Sequence, residues 1–455
     1  MNNSTRLPGV DDFAHRGSMN QDNSRNLAPA RRVMLAMLFG FSFVSYLERV
    51  NISIAAELMM PALSLTKMQM GHIFSSFLIG YAIFQVPAGM LGDIRGPRFT
   101  LAVAGLCWGI VTVLTGLIPG FIFKGASAVF LSLWIIRFLL GSAEAATYPV
   151  GTRAVRNWMP VTQRALGNSV MFVGSSAATA LAGPLISFLM VRFGWRQSFY
   201  VSSTFAFVIA ALWYWYATDY PEQHKSIRRA DVAGITRSTS VPNRSKVSRW
   251  KLLRDRRILF LSASYVSEGY VLFIFVFWLY IYLVDVRGFS MLKGGWVASL
   301  PWLTAVAFAP LGGVVCDRLS VRGTRLSGAR WVIILGYGVS GVLLYAAAQA
   351  NSRTVAVAAL CVSVGSLFFA ETGFWTAAVY LAGEHAGAVS GVMNTAGILG
   401  GIASTLLVPI LVQRFGWLTA LSSGAAMAIL CTVLWWILGR EAALTSEPVS
   451  AASVS

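Results

Sequence analysis

The chain has 455 residues, 56% of them hydrophobic and only 12% charged, with a mean hydropathy of +0.65, which excludes a water-soluble globule of this size. Its formal net charge of +18 does not indicate a nucleic-acid partner, because Lys and Arg gather in short segments between apolar runs rather than on an aromatic-interleaved platform. Cys107, Cys316, Cys361 and Cys431 all lie in apolar runs without a CxxC or Cys/His cluster, so neither a disulfide framework nor a metal site is expected.

In chain order, residues 1–30 are polar and lack an apolar stretch before a cleavage site, so they read as a disordered cytoplasmic tail rather than a signal peptide. At about 20 apolar residues per crossing, six spans are predicted near 33–57, 71–91, 99–118, 126–148, 165–190 and 197–217, making a first half over 31–217. A basic linker, 218–257, follows. Six more spans are predicted near 258–284, 294–316, 331–348, 354–382, 389–412 and 417–438, making a second half over 258–439 ahead of a cytoplasmic tail at 440–455. Of the Lys and Arg residues, 26 fall on the side of the linker and both termini, 8 on the other side and 2 within spans. The positive-inside rule then puts both termini in the cytoplasm of a multi-pass protein of the cell inner membrane. The expected fold is all-α, with twelve transmembrane helices in two pseudo-symmetric six-helix halves, surrounded by lipid and monomeric.

The halves echo each other. Arg192-Phe193-Gly194-Trp195 recurs as Arg414-Phe415-Gly416-Trp417, and Gly92 to Arg98 after the second span is echoed by Gly313 to Arg318, with Asp317 and Arg318, after the eighth. Such a repeat points to a parallel duplication with a substrate site at the membrane midplane between halves.

Charge inside spans marks that site. Glu48 and Arg49 sit side by side in the first span, and in the fourth span Arg137, Gly141, Glu144 and Tyr148 share one helical stripe. Adjacent helical positions point about 100° apart, so Glu48 and Arg49 need separate partners. The expected pairing is across helices, Glu48 with Arg137 and Arg49 with Glu144. Such pairs could simply glue the bundle, but four buried charges are costly packing material. The alternative is a coupling device, in which an arginine exchanges its glutamate for a substrate carboxylate and frees that glutamate to take a proton. Tyr81 and Gln85 share a face of the second span, Glu371, Thr372 and Trp375 mark the tenth, and Asn394 shares a face of the eleventh with Gly397 and Gly401. Glu268 and Glu371 have no Lys or Arg within spans seven to twelve to balance them. Each is therefore protonated, faces a wet cavity, reaches toward the first half or lies nearer a helix end.

These residues carry a resemblance to the major facilitator superfamily and, within it, to the anion:cation symporters, over about 31–440. The superfamily's loop motif, Gly-x-x-x-Asp-Arg-x-Gly-x-Arg, resembles Gly89, Asp93, Gly96 and Arg98, with Ile94 in the first Arg position and Arg95 as the available substitute. Tyr46 to Asn51, together with Arg137 to Ala145, Tyr148 and Pro149, is similar to hexonate, hexuronate and aldarate transporters. The resemblance implies substrate contact at Tyr46, Arg49, Tyr81, Trp375 and Asn394, and proton coupling at Glu48 and Glu144. It also implies a cytoplasmic gate at Gly89, Asp93, Gly96, Arg98, Asp317 and Arg318. The implied activity is symport of a small organic anion, a sugar acid or hydroxycarboxylate, with protons as the coupling ion and no cofactor. A sugar-phosphate antiporter would offer a buried Arg in each half, and none stands inside spans seven to twelve. Its fifth-span motif is also incomplete, with Ser187-Phe188 where paired glycines would be. A membrane enzyme would need a nucleophile, metal or catalytic dyad, whereas His15, His72, His224 and His385 are scattered.

Overall fold

The computed structural model describes residues 27–159, 164–225, 227, 255–322, 325–382 and 386–437; the expectations for residues 1–26, for the C-terminal tail and for most of the linker fall outside them, whereas residues 27–30, expected in the disordered tail, are already helical. The helices of the first half are α1 (Leu27–Ala62), α2 (Lys67–Leu117), α3 (Ala126–Glu144), α4 (Thr147–Trp158), α5 (Arg164–Phe193) and α6 (Trp195–Tyr216). Those of the second half are α7 (Arg256–Asp285), α8 (Met291–Arg322), α9 (Arg325–Gln349), α10 (Arg353–Ala382) and α11 (Ala386–Ile437).

Among the described residues, 10 stretches are long and apolar enough to cross a membrane. Two of them, α2 and α11, are 51 and 52 residues long, more than twice the about 20 that one crossing needs. Each is interrupted at one residue with non-helical dihedrals, Gly96 (φ 82°, ψ 160°) and Gly416 (φ 81°, ψ 173°), where the chain turns between two spans. Counted as two spans each, they restore the twelve crossings. The echoed Arg-Phe-Gly-Trp motif now has a cause: Gly194 (φ 90°) separates α5 from α6 as Gly416 separates the two parts of α11. Nothing lies within 4 Å of a Cβ built on either, so the left-handed backbone, not crowding, calls for glycine there.

Two expectations are corrected. The fourth span is not one helix over 126–148: it breaks at Ala145 and Ala146 and resumes as α4, because Pro149 has no N–H for the Ala145 carbonyl and its ring crowds that turn. Asp317 and Arg318 lie on α8, which runs to Arg322, rather than in a loop. Hydropathy ends where apolar residues end, whereas helical hydrogen bonding continues into the polar margin.

Local signals fit these limits. Thr66 and Gln69 close a capping box at the start of α2, with Gln69 N–H donating to Thr66 Oγ1 at 3.1 Å and Thr66 N–H to Gln69 Oε1 at 2.9 Å. Asp255 caps α7 by accepting from the Arg257 N–H at 2.8 Å. Helix α7 is buried on nearly every face, as a helix at the centre of its half must be, and it lies against α11.

The halves meet through α5 with α8, α2 with α11, and α1 with α7. Their described contacts concentrate at the end of the bundle away from the linker. There Lys67 pairs with Asp285, Phe74 stacks on Phe277 at 4.7 Å, Gly71 abuts the Thr405 carbonyl and Gly183 abuts Gly295.

Within the second half, Gly269 of α7 lies against Gly397 of α11 so closely that a Cβ on Gly269 would stand 1.7 Å from the Gly397 carbonyl oxygen. Gly269→Ala should therefore lower the thermal unfolding midpoint of the purified protein in detergent by the equivalent of about 1–3 kcal/mol of overpacking. Gly391→Ala, with nothing within 4 Å of its Cβ, should leave it unchanged; equal shifts in the two variants would show that the α7–α11 seam is not close-packed.

Candidate functional site

Where α1 crosses α3, four charged side chains are enclosed: Glu48, Arg49, Arg137 and Glu144 expose 0%, 5%, 1% and 0% of their surface. Arg49 and Glu144 form the expected pair, with Arg49 Nη2 donating to Glu144 Oε2 at 3.1 Å and Arg49 Nε to the same oxygen at 3.3 Å. Ser45, one turn before Arg49, donates to that oxygen at 2.9 Å. The other oxygen, Oε1, has no hydrogen-bond partner. Charge in an apolar bundle persists only when paired and hydrogen-bonded, and this pair is half satisfied.

The other expected pair, Glu48 with Arg137, is not formed. Arg137 instead donates through Nη2 to the main-chain carbonyl of Arg49 at 3.3 Å and stacks its guanidinium over Phe77, 5.1 Å from the ring centroid. Glu48 faces Thr112 of α2 within electrostatic reach of Arg137 and Glu144, and neither of its oxygens has a hydrogen-bond partner. The reason is angular: with Arg49 turned toward Glu144, Glu48 points about 100° away, into the α1–α2 seam.

Aromatic rings surround the Arg49 guanidinium. Its Cζ lies 4.3 Å from the centroid of Tyr46, 4.9 Å from Phe77 and 5.0 Å from Tyr81. Arginine is weakly hydrated and stacks well on such faces, so these rings hold the cation in place while leaving donors for a second acceptor. Phe77 and Ser45 were not anticipated. Ser45 had a signal in its i, i+4 spacing to Arg49, but Phe77 is one apolar residue among many. Asn51, in the same motif, ties α1 to α6 by donating to the Ser198 carbonyl at 3.1 Å and accepting from Ser198 Oγ at 2.9 Å.

From this centre a run of rings leads into the second half. Tyr46 meets Tyr148 at 6.4 Å, Tyr148 meets Phe172 at 5.5 Å, and Phe172 of α5 meets Trp375 of α10 at 6.3 Å. Tyr148 is held by a 3.0 Å hydrogen bond with Ser42. The Trp375 indole N–H donates to Glu371 Oε1 at 2.5 Å, and the Tyr265 hydroxyl donates to the same oxygen at 2.6 Å. Thr372, by contrast, bonds the Phe369 carbonyl of its own helix at 2.9 Å and faces Gly312 of α8. Gln85 and Asn394 are half-buried, and no hydrogen bond or ring contact among the described residues joins them to the cluster.

At the linker end, the loop-motif residues assemble around two acids. Asp93 pairs with Arg153, the cation that Ile94 does not supply, while Arg95 lies over Phe99 at 5.8 Å. Asp219 accepts from the Arg98 N–H at 2.8 Å, and the Arg98 guanidinium donates to the Tyr214 carbonyl at 2.8 and 3.1 Å. Gly96 sits against the Asp219 carboxylate, and Gly89 approaches Pro149. Asp317 and Arg318 are exposed and enter no ion pair among the described residues. No group of His, Cys, Asp or Glu able to hold a metal occurs among the described residues.

Sequence comparison places this geometry among known carriers. The Major Facilitator Superfamily profile matches residues 38–327 and 294–453. A protein of Cupriavidus necator named "Probable sulfoacetate transporter" is 30% identical over 390 residues, covering 85% of this chain and 88% of that protein. The hexuronate transporter of Bacillus subtilis is 30% identical over 429 residues, 92% of this chain and 98% of its own. A protein of Escherichia coli named "Probable galactarate/D-glucarate transporter" is 28% identical over 428 residues, 90% of this chain and 95% of that protein. The crystal structure of a bacterial homologue of the human lysosomal transporter Spinster, inward-facing and unoccupied, has the same fold, with a TM-score of 0.74 at 15% identity over 90% of this chain and 97% of that one. The chain belongs to the Major Facilitator Superfamily and is a membrane transporter, not an enzyme.

Proposed function

We propose that this transporter imports a small organic anion, a sugar acid or related hydroxycarboxylate, together with protons, by alternating access of its two halves. The observation that carries this reading is Arg49: a buried guanidinium in an aromatic box whose carboxylate partner, Glu144, leaves one oxygen unbonded. A substrate carboxylate competes with Glu144 for the same fork, and the displaced glutamate, still buried, takes the proton that travels with the anion. Relatives named for hexuronate, galactarate/glucarate and sulfoacetate transport support a small organic acid as the cargo. Tyr46 and Tyr81 frame the anion, and Trp375 supplies a flat face for a sugar ring.

The excess of Lys and Arg on the linker side supports an inner-membrane protein with cytoplasmic termini. In that orientation the end closed by Lys67–Asp285 and Phe74–Phe277 is external. A phosphate antiporter fits less well. Arg287, a buried arginine of the second half, is committed to the Tyr282 hydroxyl and to the Ala347 and Ala350 carbonyls, beyond the end of α7 and away from the Arg49 centre.

Arg49→Ala and Arg49→Lys should both lose binding of the transported anion, because an ammonium does not reproduce a planar two-donor fork. A panel of aldonates, uronates, aldarates and sulfonates, tested for uptake with and without a proton ionophore, identifies the cargo. Full uptake by the Lys variant would remove Arg49 from the substrate site.

Glu144→Gln should retain exchange of labelled for unlabelled anion but lose accumulation driven by a pH gradient, since the amide stands permanently for the protonated acid. Counterflow and uphill uptake in proteoliposomes separate the two. If both activities vanish together, or both survive, Glu144 is structural rather than coupling.

A further inference from the structure

Behind Trp375 lies a second pair of acids, one buried and one half-buried, that the Arg49 centre does not use. Glu268 of α7 exposes 4% of its surface; its carboxyl and the Tyr265 ring lie against the same Gly397, the Tyr265 hydroxyl bonds the half-buried Glu371 of α10, and the two acids are within electrostatic reach of each other. Two carboxyls so close in apolar surroundings repel each other if both are charged, so without a cation the pair holds a proton. No cation takes its place: neither residue enters an ion pair among the described residues.

The groups facing the pair from the surrounding helices are Tyr265 of α7, Tyr337 of α9, and Cys431 of α11, with the backbone of Gly397 packed beside Glu268. All of them are neutral side chains. Tyr265 and Trp375 both donate to Glu371 Oε1, which leaves Glu371 the better-stabilised anion and Glu268 the natural seat of the proton. Two polar atoms remain unspent. The Tyr337 hydroxyl, on a residue exposed 0%, has no hydrogen-bond partner, and neither has Glu371 Oε2. A buried hydroxyl facing two acids, and an acceptor with nothing bonded to it, are the marks of a site whose bonding pattern changes during the working cycle.

We propose that Glu268 and Glu371 form a proton-binding site in the second half, distinct from the Arg49–Glu144 centre and linked to the substrate space by the Trp375 indole. When Trp375 moves to stack on cargo, Glu371 loses one of its two donors to Oε1, and the balance of the shared proton between the two acids shifts. Tyr337 and Glu371 Oε2 are positioned to take up the rearranged bonds. The proton sharing follows from the placement of two acids among neutral neighbours; its coupling to cargo rests on the transport reading above.

Infrared difference spectroscopy of the purified protein in lipid, stepped in pH, reads the pair without any substrate. The wild type should show a protonated-carboxyl C=O band that disappears in Glu268→Gln, whose amide can donate to Glu371 and so replaces the proton. The same band should shift in Tyr337→Phe, a change that removes only the hydroxyl and keeps the proposal testable if Glu268→Gln fails to fold. Acid bands identical in wild type and both variants would overturn the site. Coupling is read separately, as the proton-to-anion ratio in proteoliposomes: the ratio should fall in Glu268→Gln, and an unchanged ratio would overturn coupling while leaving the shared proton in place. If the wild type moves no organic anion at all, the transport reading fails and the infrared result still stands.

Discussion

The contact on which the site depends is the ion pair of Arg49 with Glu144 inside a bundle that is otherwise apolar. A charge in such surroundings costs several kcal/mol unless matched, and here one carboxylate oxygen carries three donated hydrogen bonds while the other carries none. An interaction built only for stability would satisfy both oxygens. The uneven arrangement is suited to exchange, because a ligand carboxylate meets a guanidinium already desolvated and already oriented by Tyr46, Phe77 and Tyr81.

The architecture lets that exchange be coupled to motion. Each half is knit by close helix packing, as at Gly269 against Gly397 in the second and Gly141 against the Phe77 carbonyl in the first. Close backbone approach through small residues favours rigid bodies over flexible helices. Between the halves, the described contacts are an ion pair, stacked rings and glycine seams at the end away from the linker, with Phe172 and Trp375 meeting nearer the other end. Two stiff units joined this way are suited to rocking about the central charges.

The aromatic run from Tyr46 through Tyr148 and Phe172 to Trp375 joins two acid sites of opposite design. In the first half a carboxylate is matched by an arginine; in the second, two acids lie among neutral side chains, one of them accepting from Tyr265 and Trp375. Cargo lying between Arg49 and Trp375, as proposed, would touch both acid sites through one side chain on each side.

The number of crossings, their two-fold repeat and the excess of basic residues on one side followed from sequence alone, because hydropathy and charge are properties of composition along the chain and need no contacts. The repeated Gly194 and Gly416 were visible as a motif, and their positive φ explains it. The Arg49–Glu144 pair was legible for a similar reason: a buried charge must find a partner, and few were available. What only the tertiary structure decided was the pairing that failed and the residues with no chemical signature. Glu48 and Arg137 are complementary in sequence, yet the rotation of α1 that serves Arg49 turns Glu48 into the α2 seam. Phe77 became part of the arginine's box only because α2 crosses there, and Glu268 met Glu371 only because α7 and α10 face each other. Sequence states which groups need partners, whereas helix rotation and crossing decide which partners lie within about 3 Å, the distance at which hydrogen bonds form.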